Sequence, residues 1–319
     1  LTRPAGVVRA IGDDAAAFET PADHVGLVTT DMLVGRIHFL QDVITGFDLG
    51  YKSLAVNLSD IAAMGGIARE AFVSIAIPDS CELAYLEEFY RGLKALAEEF
   101  DVNILGGDTT GSKIDLVINV AVFGVVPPDQ ILYRNGARPG DAVFCTGFRG
   151  DSRAGLDMIL NSAPVNTPAK KRLVEAHLHP EPHLKEGRLL ASSPGVHSAI
   201  DVSDGLTSDL GHILEESQVG VKLKASDIPI SAELLKFCAD SRRDPLETAL
   251  SGGEDYVLIG TCAAEQISAL SQRFEKEFSR PLFCIGEITA EKDQMLILPG
   301  GRESTYSKMG WDHFSPHDS

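Results

Sequence analysis

The stretch N-L-S-D-I-A-A-M-G, residues 57–65, places an asparagine and an aspartate inside an otherwise apolar segment. Its apolar residues recur at three- and four-residue steps, so the pattern predicts a helix over residues 49–64. Asn57 and Asp60 stand three residues apart and therefore share a second face of that helix. Because an aspartate among apolar neighbours normally has a polar partner, the stretch also predicts a partner for Asp60.

On both sides of this helix, strand-like segments alternate with helical ones. Candidate strands occupy residues 25–30, 71–77, 116–126, 142–146, 197–202 and 256–261; candidate helices occupy 83–100, about 206–216 and 268–278; a glycine-containing loop spans 147–155. The pair Pro127-Pro128 interrupts regular structure near the middle. We therefore expect a two-domain α/β and α+β protein, divided into residues 1–127 and 128–319.

Composition excludes several classes of protein. The 319 residues carry 46 acidic and 28 basic side chains, for a net charge of −18. Such a charge argues against nucleic-acid binding, and no apolar run approaches the roughly 20 residues that cross a bilayer. The five cysteines are far apart, which argues against a zinc site and a disulfide framework. The first residues lack a signal-peptide pattern, which argues against export. We expect a cytoplasmic protein with no membrane partner.

Aspartates recur beside small or hydroxyl residues. The motifs are G-D-D-A (12–15), T-T-D (29–31), N-L-S-D (57–60), G-G-D-T (106–109) and D-V-S-D-G (201–205), and the pattern places their carboxylates at the ends of elements or on a helix. Singly, such a motif is more often a turn, and Asp204 also fits a helix N-cap. Together, carboxylate and hydroxyl oxygens are typical of a Mg²⁺ site shared with substrate phosphates.

The order of these motifs resembles an ATP-dependent superfamily that contains aminoimidazole ribonucleotide synthetase, selenophosphate synthetase and hydrogenase maturation factor E. Within it, the chain is most similar to the thiamine-monophosphate kinase family, through H-F (38–39), R-N-G-A-R-P-G-D (134–141) and G-G-E-D-Y (252–256), with a weaker match at G-W-D-H-F (310–314). The resemblance implies an N-terminal domain that binds ATP and Mg²⁺. It also implies that this domain's sheet pairs across a homodimer into a β-barrel, while the C-terminal α+β domain completes the cleft.

The resemblance also implies the site residues. The implied metal ligands are Asp14, Thr29, Thr30, Asp31, Asp60, Asp108, Asp201 and Asp204; the ATP contacts are Tyr90, Gly107, Arg134 and Ser203; the thiamine monophosphate contacts are His38, Glu254 and Trp311. The implied reaction is direct in-line transfer of the γ-phosphoryl group of ATP to thiamine monophosphate, giving thiamine diphosphate. Because the acceptor phosphate is already ionised, no general base is needed. Metal-assisted catalysis falls on Asp31, Asp60, Asp108 and Asp201.

Other interpretations remain open. Ordinary structural roles also fit His38, Arg134, Glu254 and Trp311. Gly35-Arg36-Ile37 replaces the acidic residue and glycine that usually precede H-F, and the segment before Gly12 is shorter than in the family, so a lid or helix is expected to be missing there. Arg36 and the short N-terminal segment favour the alternative of another superfamily synthetase that acts on an amide or carbonyl oxygen. A non-catalytic divalent-cation-binding protein is a remote alternative, because no calcium-loop pattern occurs.

Overall fold

The computed structural model describes residues 2–9 and 17–306. The chain divides into two compact units, Leu1–Ile131 and Leu132–Ser319. Asp14 and Trp311 lie outside the described residues. Within the described part, no helix is both long enough and apolar enough to cross a membrane.

The N-terminal unit is built on a mixed four-stranded sheet. Its elements are β1 (Val7–Arg9), β2 (Ala17–Phe18), β3 (Val25–Val34), α1 (Gly46–Ala63), β4 (Ile67–Pro78), α2 (Leu83–Glu99), β5 (Asn103–Ser112) and β6 (Val117–Val126). The strand order is β3-β6-β4-β5, with β4 and β5 parallel and the other pairs antiparallel. β1 and β2 form a separate antiparallel pair. The strands that carry T-T-D and G-G-D are therefore the two edges of the sheet.

The two helices of this unit pack against each other through glycines. A Cβ added to Gly50 would lie 1.8 Å from the carbonyl oxygen of Phe89, and one added to Gly92 would lie 1.9 Å from that of Phe47. Since any larger side chain would collide with backbone, these glycines permit an unusually close approach of α1 and α2. Thr45 caps α1 by accepting the Asp48 N–H over 3.1 Å, which is why the helix begins before the predicted residue 49.

The C-terminal unit mixes strands and helices around a larger sheet. Its elements are β7 (Ala142–Cys145), α3 (Asp151–Leu160), α4 (Pro168–Leu178), α5 (Leu184–Ala191), β8 (Val196–Asp201), α6 (Leu206–Ser217), β9 (Gly220–Lys224), α7 (Ala232–Ser241), α8 (Pro245–Ser251), β10 (Leu258–Cys262), α9 (Ile267–Phe278), β11 (Phe283–Thr289), β12 (Gln294–Ile297) and β13 (Glu303–Thr305). The strand order is β13-β12-β9-β11-β7-β10-β8. The expected mixed α/β and α+β composition is thus observed in both units.

Three local expectations are corrected. Asp31 lies inside β3 and Asp108 inside β5, because each strand continues through its motif by pairing with a neighbour, rather than ending before it. The glycine-containing loop after β7 is shorter than residues 147–155, because α3 begins at Asp151. Within the described residues of one chain, both large sheets are open, and the barrel expected across a homodimer stays a prediction.

Candidate functional site

The T-T-D motif lies in the middle of β3, where Thr29 and Asp31 meet α1. Thr29 Oγ1 donates a hydrogen bond to Asp60 Oδ2, and the backbone N–H of Asp31 donates to Asn57 Oδ1 over 3.1 Å. Asn57 Nδ2 in turn donates to the Ser53 carbonyl oxygen over 3.1 Å, which fixes the orientation of the amide. The predicted shared face of Asn57 and Asp60 and the predicted polar partner of Asp60 are both confirmed.

The two carboxylates at this edge interact unfavourably with each other. Burial, and after it the nearby Asp60 carboxylate, raises the pKa of Asp31 to about 7. A bound cation would offset both effects. Among residues 2–9 and 17–306, no three histidine, cysteine or acidic side chains gather into a metal-binding group. Since Mg²⁺ is usually held by one or two carboxylates plus phosphate oxygens and water, the pair Asp31 and Asp60 fits such a site.

The G-G-D motif lies at the other edge of the same sheet. Gly107 has a φ of +152°, and a Cβ there would lie 1.7 Å from the Val73 carbonyl oxygen, so the close pairing of β5 with β4 requires glycine. Asp108 is exposed, and its Oδ1 accepts the Thr109 N–H over 2.9 Å. With two strands between them, β5 and β3 stand about 14 Å apart. The sheet therefore does not gather Asp108 into the group formed by Asp31 and Asp60.

Two further predicted residues of this unit have local partners. Thr30 is exposed, unlike its neighbours in β3, and its Oγ1 accepts a 2.8 Å hydrogen bond from Asn119 Nδ2. Tyr90 lies on α2, where its ring stands edge-on to Phe89 with 5.2 Å between centroids. Burial raises the pKa of the Tyr90 hydroxyl, so the side chain is a neutral donor near pH 7.

The turn after β3 holds His38 in a defined orientation. The Val34 N–H donates to His38 Nδ1 over 3.0 Å, so the proton of the neutral ring is assigned to Nε2. Arg36 occupies the left-handed region in this turn, with a φ of +65°. Its guanidinium donates to both carboxylate oxygens of Asp115, over 2.7 and 2.8 Å, and this pairing lowers the pKa of Asp115. The charge of Arg36 is thus matched by an acidic partner.

In the C-terminal unit, the D-V-S-D-G motif joins β8 to α6. Asp201 is the last residue of β8 and is buried. Asp209 Oδ2 accepts the N–H groups of Asp204 and Gly205 over 3.0 and 3.1 Å, and Gly205 is the N-cap residue. Burial, followed by the charge of Asp204, raises the pKa of Asp209 to about 6. The alternative that Asp204 caps α6 is therefore wrong, and the acid at Asp209 in the first turn was the overlooked signal.

The G-G-E-D-Y segment runs alongside this junction. The Glu254 N–H donates to the Ser203 carbonyl oxygen over 2.7 Å, and the Tyr256 N–H donates to that of Val202 over 2.9 Å. Glu254 and Tyr256 both adopt left-handed conformations, with φ of +61° and +49°. Non-glycine residues in this region are uncommon and concentrate at functional sites. The structure thus places Ser203 directly beside Glu254.

A buried ion pair that sequence reasoning missed supports the same segment. Arg149 Nη1 lies 2.9 Å from Asp255 Oδ2, and Arg149 Nη2 donates to the Gly252 carbonyl oxygen over 3.1 Å. Asp255 also accepts the N–H groups of Gly150 and Ser152 over 2.7 and 3.0 Å. Burial raises the pKa of Asp255, and the charge of Arg149 opposes that shift. No spacing in the sequence joins these residues, since they lie more than 100 positions apart.

Arg134, the remaining predicted ATP contact among the described residues, is exposed. Its carbonyl oxygen accepts a 3.1 Å hydrogen bond from Ser217 Oγ. Two positions further on, Gly136 packs so closely that an added Cβ would lie 1.8 Å from the His197 carbonyl oxygen. The backbone of this loop is therefore held in place beside α6 and β8 of its own unit.

Comparison with family models gives two matches. The AIR synthase related protein N-terminal domain matches residues 12–126, and the AIR synthase related protein C-terminal domain matches residues 138–298.

Comparison with individual proteins gives relatives along nearly the whole chain. Thiamine-monophosphate kinase of Escherichia coli strain K12 is 38% identical over 306 residues, covering 96% of this chain and 91% of that protein. The crystal structure of thiamine-monophosphate kinase from Stenotrophomonas maltophilia K279a is similar, with a TM-score of 0.84, 34% identity and coverage of 92% and 91% of the two chains. The structure of AaThiL complexed with AMPPCP and TMP has a TM-score of 0.81 and 31% identity, covering 96% and 92%.

Proposed function

This chain belongs to the thiamine-monophosphate kinase family within the AIR synthase related proteins, and we propose that it transfers the γ-phosphoryl group of ATP to thiamine monophosphate to form thiamine diphosphate. The observation that carries the proposal is the likeness along nearly the full chain to AaThiL, which was solved with AMPPCP and TMP. AMPPCP is an ATP analogue with a non-hydrolysable γ-phosphate link. Both substrates of the proposed reaction are thus represented in that complex.

The N-terminal unit offers oxygen ligands for Mg²⁺. Asp31 and Asp60 supply neighbouring carboxylates, and Thr29 orients Asp60 through its hydroxyl. When bound, Mg²⁺ neutralises phosphate charge and keeps the attacking and leaving oxygens in line. The further ligands that we propose from the family motifs are Asp14, Thr30, Asp108, Asp201 and Asp204. Catalytic assistance through metal is assigned to Asp31, Asp60, Asp108 and Asp201.

The proposed reaction needs no protein base. The phosphate of thiamine monophosphate is already ionised near pH 7, so its oxygen attacks directly and the bond between the β- and γ-phosphates breaks as the new bond forms. The chain's own residues bind and orient the two substrates. For ATP we assign Tyr90, Gly107, Arg134 and Ser203. Among these, Gly107 is exposed and carries no side chain, so a ligand can approach the backbone of β5 closely there.

For thiamine monophosphate we assign His38, Glu254 and Trp311. The assigned Nε2 proton of His38 makes this nitrogen a donor suited to a phosphate oxygen. Glu254 presents a carboxylate that is about one-third exposed, suited to the aminopyrimidine of the substrate. Trp311, which lies outside the described residues, would offer an aromatic face to the cationic thiazolium ring.

We also propose a homodimer in which the N-terminal sheets pair into a barrel. On β3 the outward side chains Val28 and Met32 are 75% and 56% exposed, and no strand among residues 2–9 and 17–306 pairs with the outer edge of this strand. An exposed apolar face and a bare edge are typical of an interaction surface. Sedimentation equilibrium should give a species of twice the 34.2 kDa chain mass. A monomer at micromolar concentration would contradict the dimer.

The experiment that tests the function is a chromatographic assay of the purified chain with ATP, Mg²⁺ and thiamine monophosphate. We expect one thiamine diphosphate for each ADP, and product formation that is abolished by chelating the metal. Phosphate labelled at the γ-position of ATP should not remain on the protein when the acceptor is left out. ATP turnover that depends on an amide or carbonyl compound, without thiamine diphosphate, would overturn the proposal. Arg36 no longer favours that alternative, because Asp115 matches its charge.

A further inference from the structure

A ring of contacts joins the G-G-E-D-Y segment to the side chains of Arg149 and His177 and to Ser152. Glu254 Oε2 lies 3.3 Å from His177 Nδ1, and the same nitrogen lies 3.1 Å from Ser152 Oγ. The backbone N–H of Ser152 donates to Asp255, which pairs with Arg149. The ring closes where Arg149 donates to the carbonyl oxygen of Gly252, two residues before Glu254. Both the backbone and the side chain of this glutamate are therefore held by α3, α4 and their flanking residues.

His177 is placed to act on the carboxylate rather than on the substrate. Its side chain is 7% exposed, whereas that of Glu254 is 31% exposed. An ionised carboxylate accepts hydrogen bonds but has no proton to donate, so we assign the proton between these two groups to Nδ1 of His177. Ser152 Oγ can share that N–H as a second acceptor. The contact thus positions one oxygen of Glu254, whose side chain as a whole is 31% exposed.

The backbone adds a second reason to expect a fixed carboxylate. Glu254 adopts the left-handed region, which a non-glycine residue occupies only where its surroundings enforce it. Gly253 packs so closely that a Cβ would lie 2.4 Å from the Ser203 carbonyl oxygen. A carboxylate held in advance loses less conformational entropy when it binds a ligand.

We propose that His177 is a positioning residue, which orients the Glu254 carboxylate for recognition of thiamine monophosphate. The inference rests on the proposed function, because it takes Glu254 as a contact of that substrate. His177 does not touch the reacting phosphates. Its loss therefore weakens binding of thiamine monophosphate through Glu254 and leaves ATP binding unchanged.

The test uses steady-state kinetics of the full chain with each substrate varied in turn. We expect His177→Ala to raise KM for thiamine monophosphate by about tenfold, the effect of losing one hydrogen bond to a charged group, and KM for ATP by less than about twofold. His177→Asn places an amide N–H near the position of Nδ1 and should restore most of the loss. His177→Gln places it near Nε2 and should not. Lys171→Ala, at an exposed position of the same helix, is the matched control.

A double-variant cycle separates positioning from general stability. In a Glu254→Ala background, His177→Ala should add less than about twofold to KM for thiamine monophosphate, because the carboxylate that it orients is already gone. Additive effects, or equal losses for both substrates in the Asn and Ala variants, would overturn the inference. An unchanged KM for thiamine monophosphate in Glu254→Ala would also overturn it, and the proposed kinase activity would still hold. Absence of thiamine diphosphate with the unaltered chain would overturn the proposed function and this inference with it.

Discussion

The carboxylate of Asp255 lies 2.9 Å from the guanidinium of Arg149, with 3% and 0% of the two side chains exposed. Asp255→Asn removes the charge that faces a fully buried arginine, so we expect the free energy of unfolding to fall by about 3–5 kcal/mol. Urea denaturation at pH 7 measures this change. The matched control is Glu233→Gln, whose partner Arg172 is 70% exposed, and it should lose less than about 1 kcal/mol. Equal losses would contradict the prediction.

The glycine contact between the helices of the N-terminal unit gives a second prediction. Gly50→Ala would place a Cβ 1.8 Å from the Phe89 carbonyl oxygen, so the helices must separate and the free energy of unfolding should fall by about 1–3 kcal/mol. Thermal denaturation measures the change. Gly111→Ala is the control, because no atom of the described part of the chain lies within 4 Å of the added Cβ. Similar melting temperatures for the two variants would argue against the close packing.

The buried side chain of His183 should make the free energy of unfolding depend on pH. Burial, and then the charge of Arg280, lowers the pKa of His183 from 6.5 to about 3, and Thr146 Oγ1 lies 2.6 Å from its Nδ1. Above pH 6.5 the ring is neutral in both the folded and unfolded chain. As the pH falls from 6.5 towards 3, the unfolded chain gains a proton that the folded chain does not. The contribution of His183 should therefore fall by up to about 1.4 kcal/mol per pH unit.

The measurement must separate the effect of His183 from that of groups that stabilise the folded chain as the pH falls. Asp209, with its pKa raised to about 6, takes up a proton in the folded chain first and so favours folding as the pH falls from 6 towards 3.8. Urea denaturation between pH 7.5 and 4.5 should therefore be compared for the unaltered chain and His183→Gln. The variant should lose stability less steeply in acid. Parallel pH profiles would rule out the assigned role of His183.

We expect the ionised carboxylate of Asp31 to destabilise the folded chain and to be needed for turnover. Asp31→Asn removes a buried charge beside Asp60, so at pH 8 we expect a melting temperature equal to or above that of the unaltered chain. Turnover to thiamine diphosphate should fall by orders of magnitude, with a higher Mg²⁺ requirement, because a proposed metal ligand is lost. Asp129→Asn, at an exposed position, is the control for both measurements. Full activity of Asp31→Asn at low Mg²⁺ would exclude this residue as a ligand.

The sequence predicted the elements whose apolar pattern is strong. The helices around residues 49–64 and 83–100 have clear apolar faces, and both are present with ends shifted by at most three residues. The helix α4 was missed, although Thr167 before Pro168 is a good N-terminal signal. Only Leu173 and His177 of this helix are buried, so its apolar pattern is too weak to read. The strands β9, β11 and β12 were missed as well.

For the candidate site, the sequence predicted that Asp60 has a polar partner, but it did not predict the residues that hold the site's backbone and side chains in place. A polar partner for Asp60 followed from the placement of one aspartate among apolar residues, and the structure identifies that partner as Thr29. Arg149, Asp255 and His177 were not singled out, because their roles come from contacts between residues that are distant in sequence. Asp209 was also overlooked, although it sits in the first turn of a predicted helix. Such supporting groups become visible only when the chain is folded.

The alternation of β3 has a consequence for how this protein tolerates changes in length. Thr29 and Asp31 face α1, whereas Val28 and Met32 face the other way. Removing a single residue ahead of the motif would exchange the two faces, turning the carboxylate outward and a methionine or valine inward. Removing two would keep every side chain on its own face. We therefore expect this strand to tolerate insertions and deletions of an even number of residues better than those of an odd number.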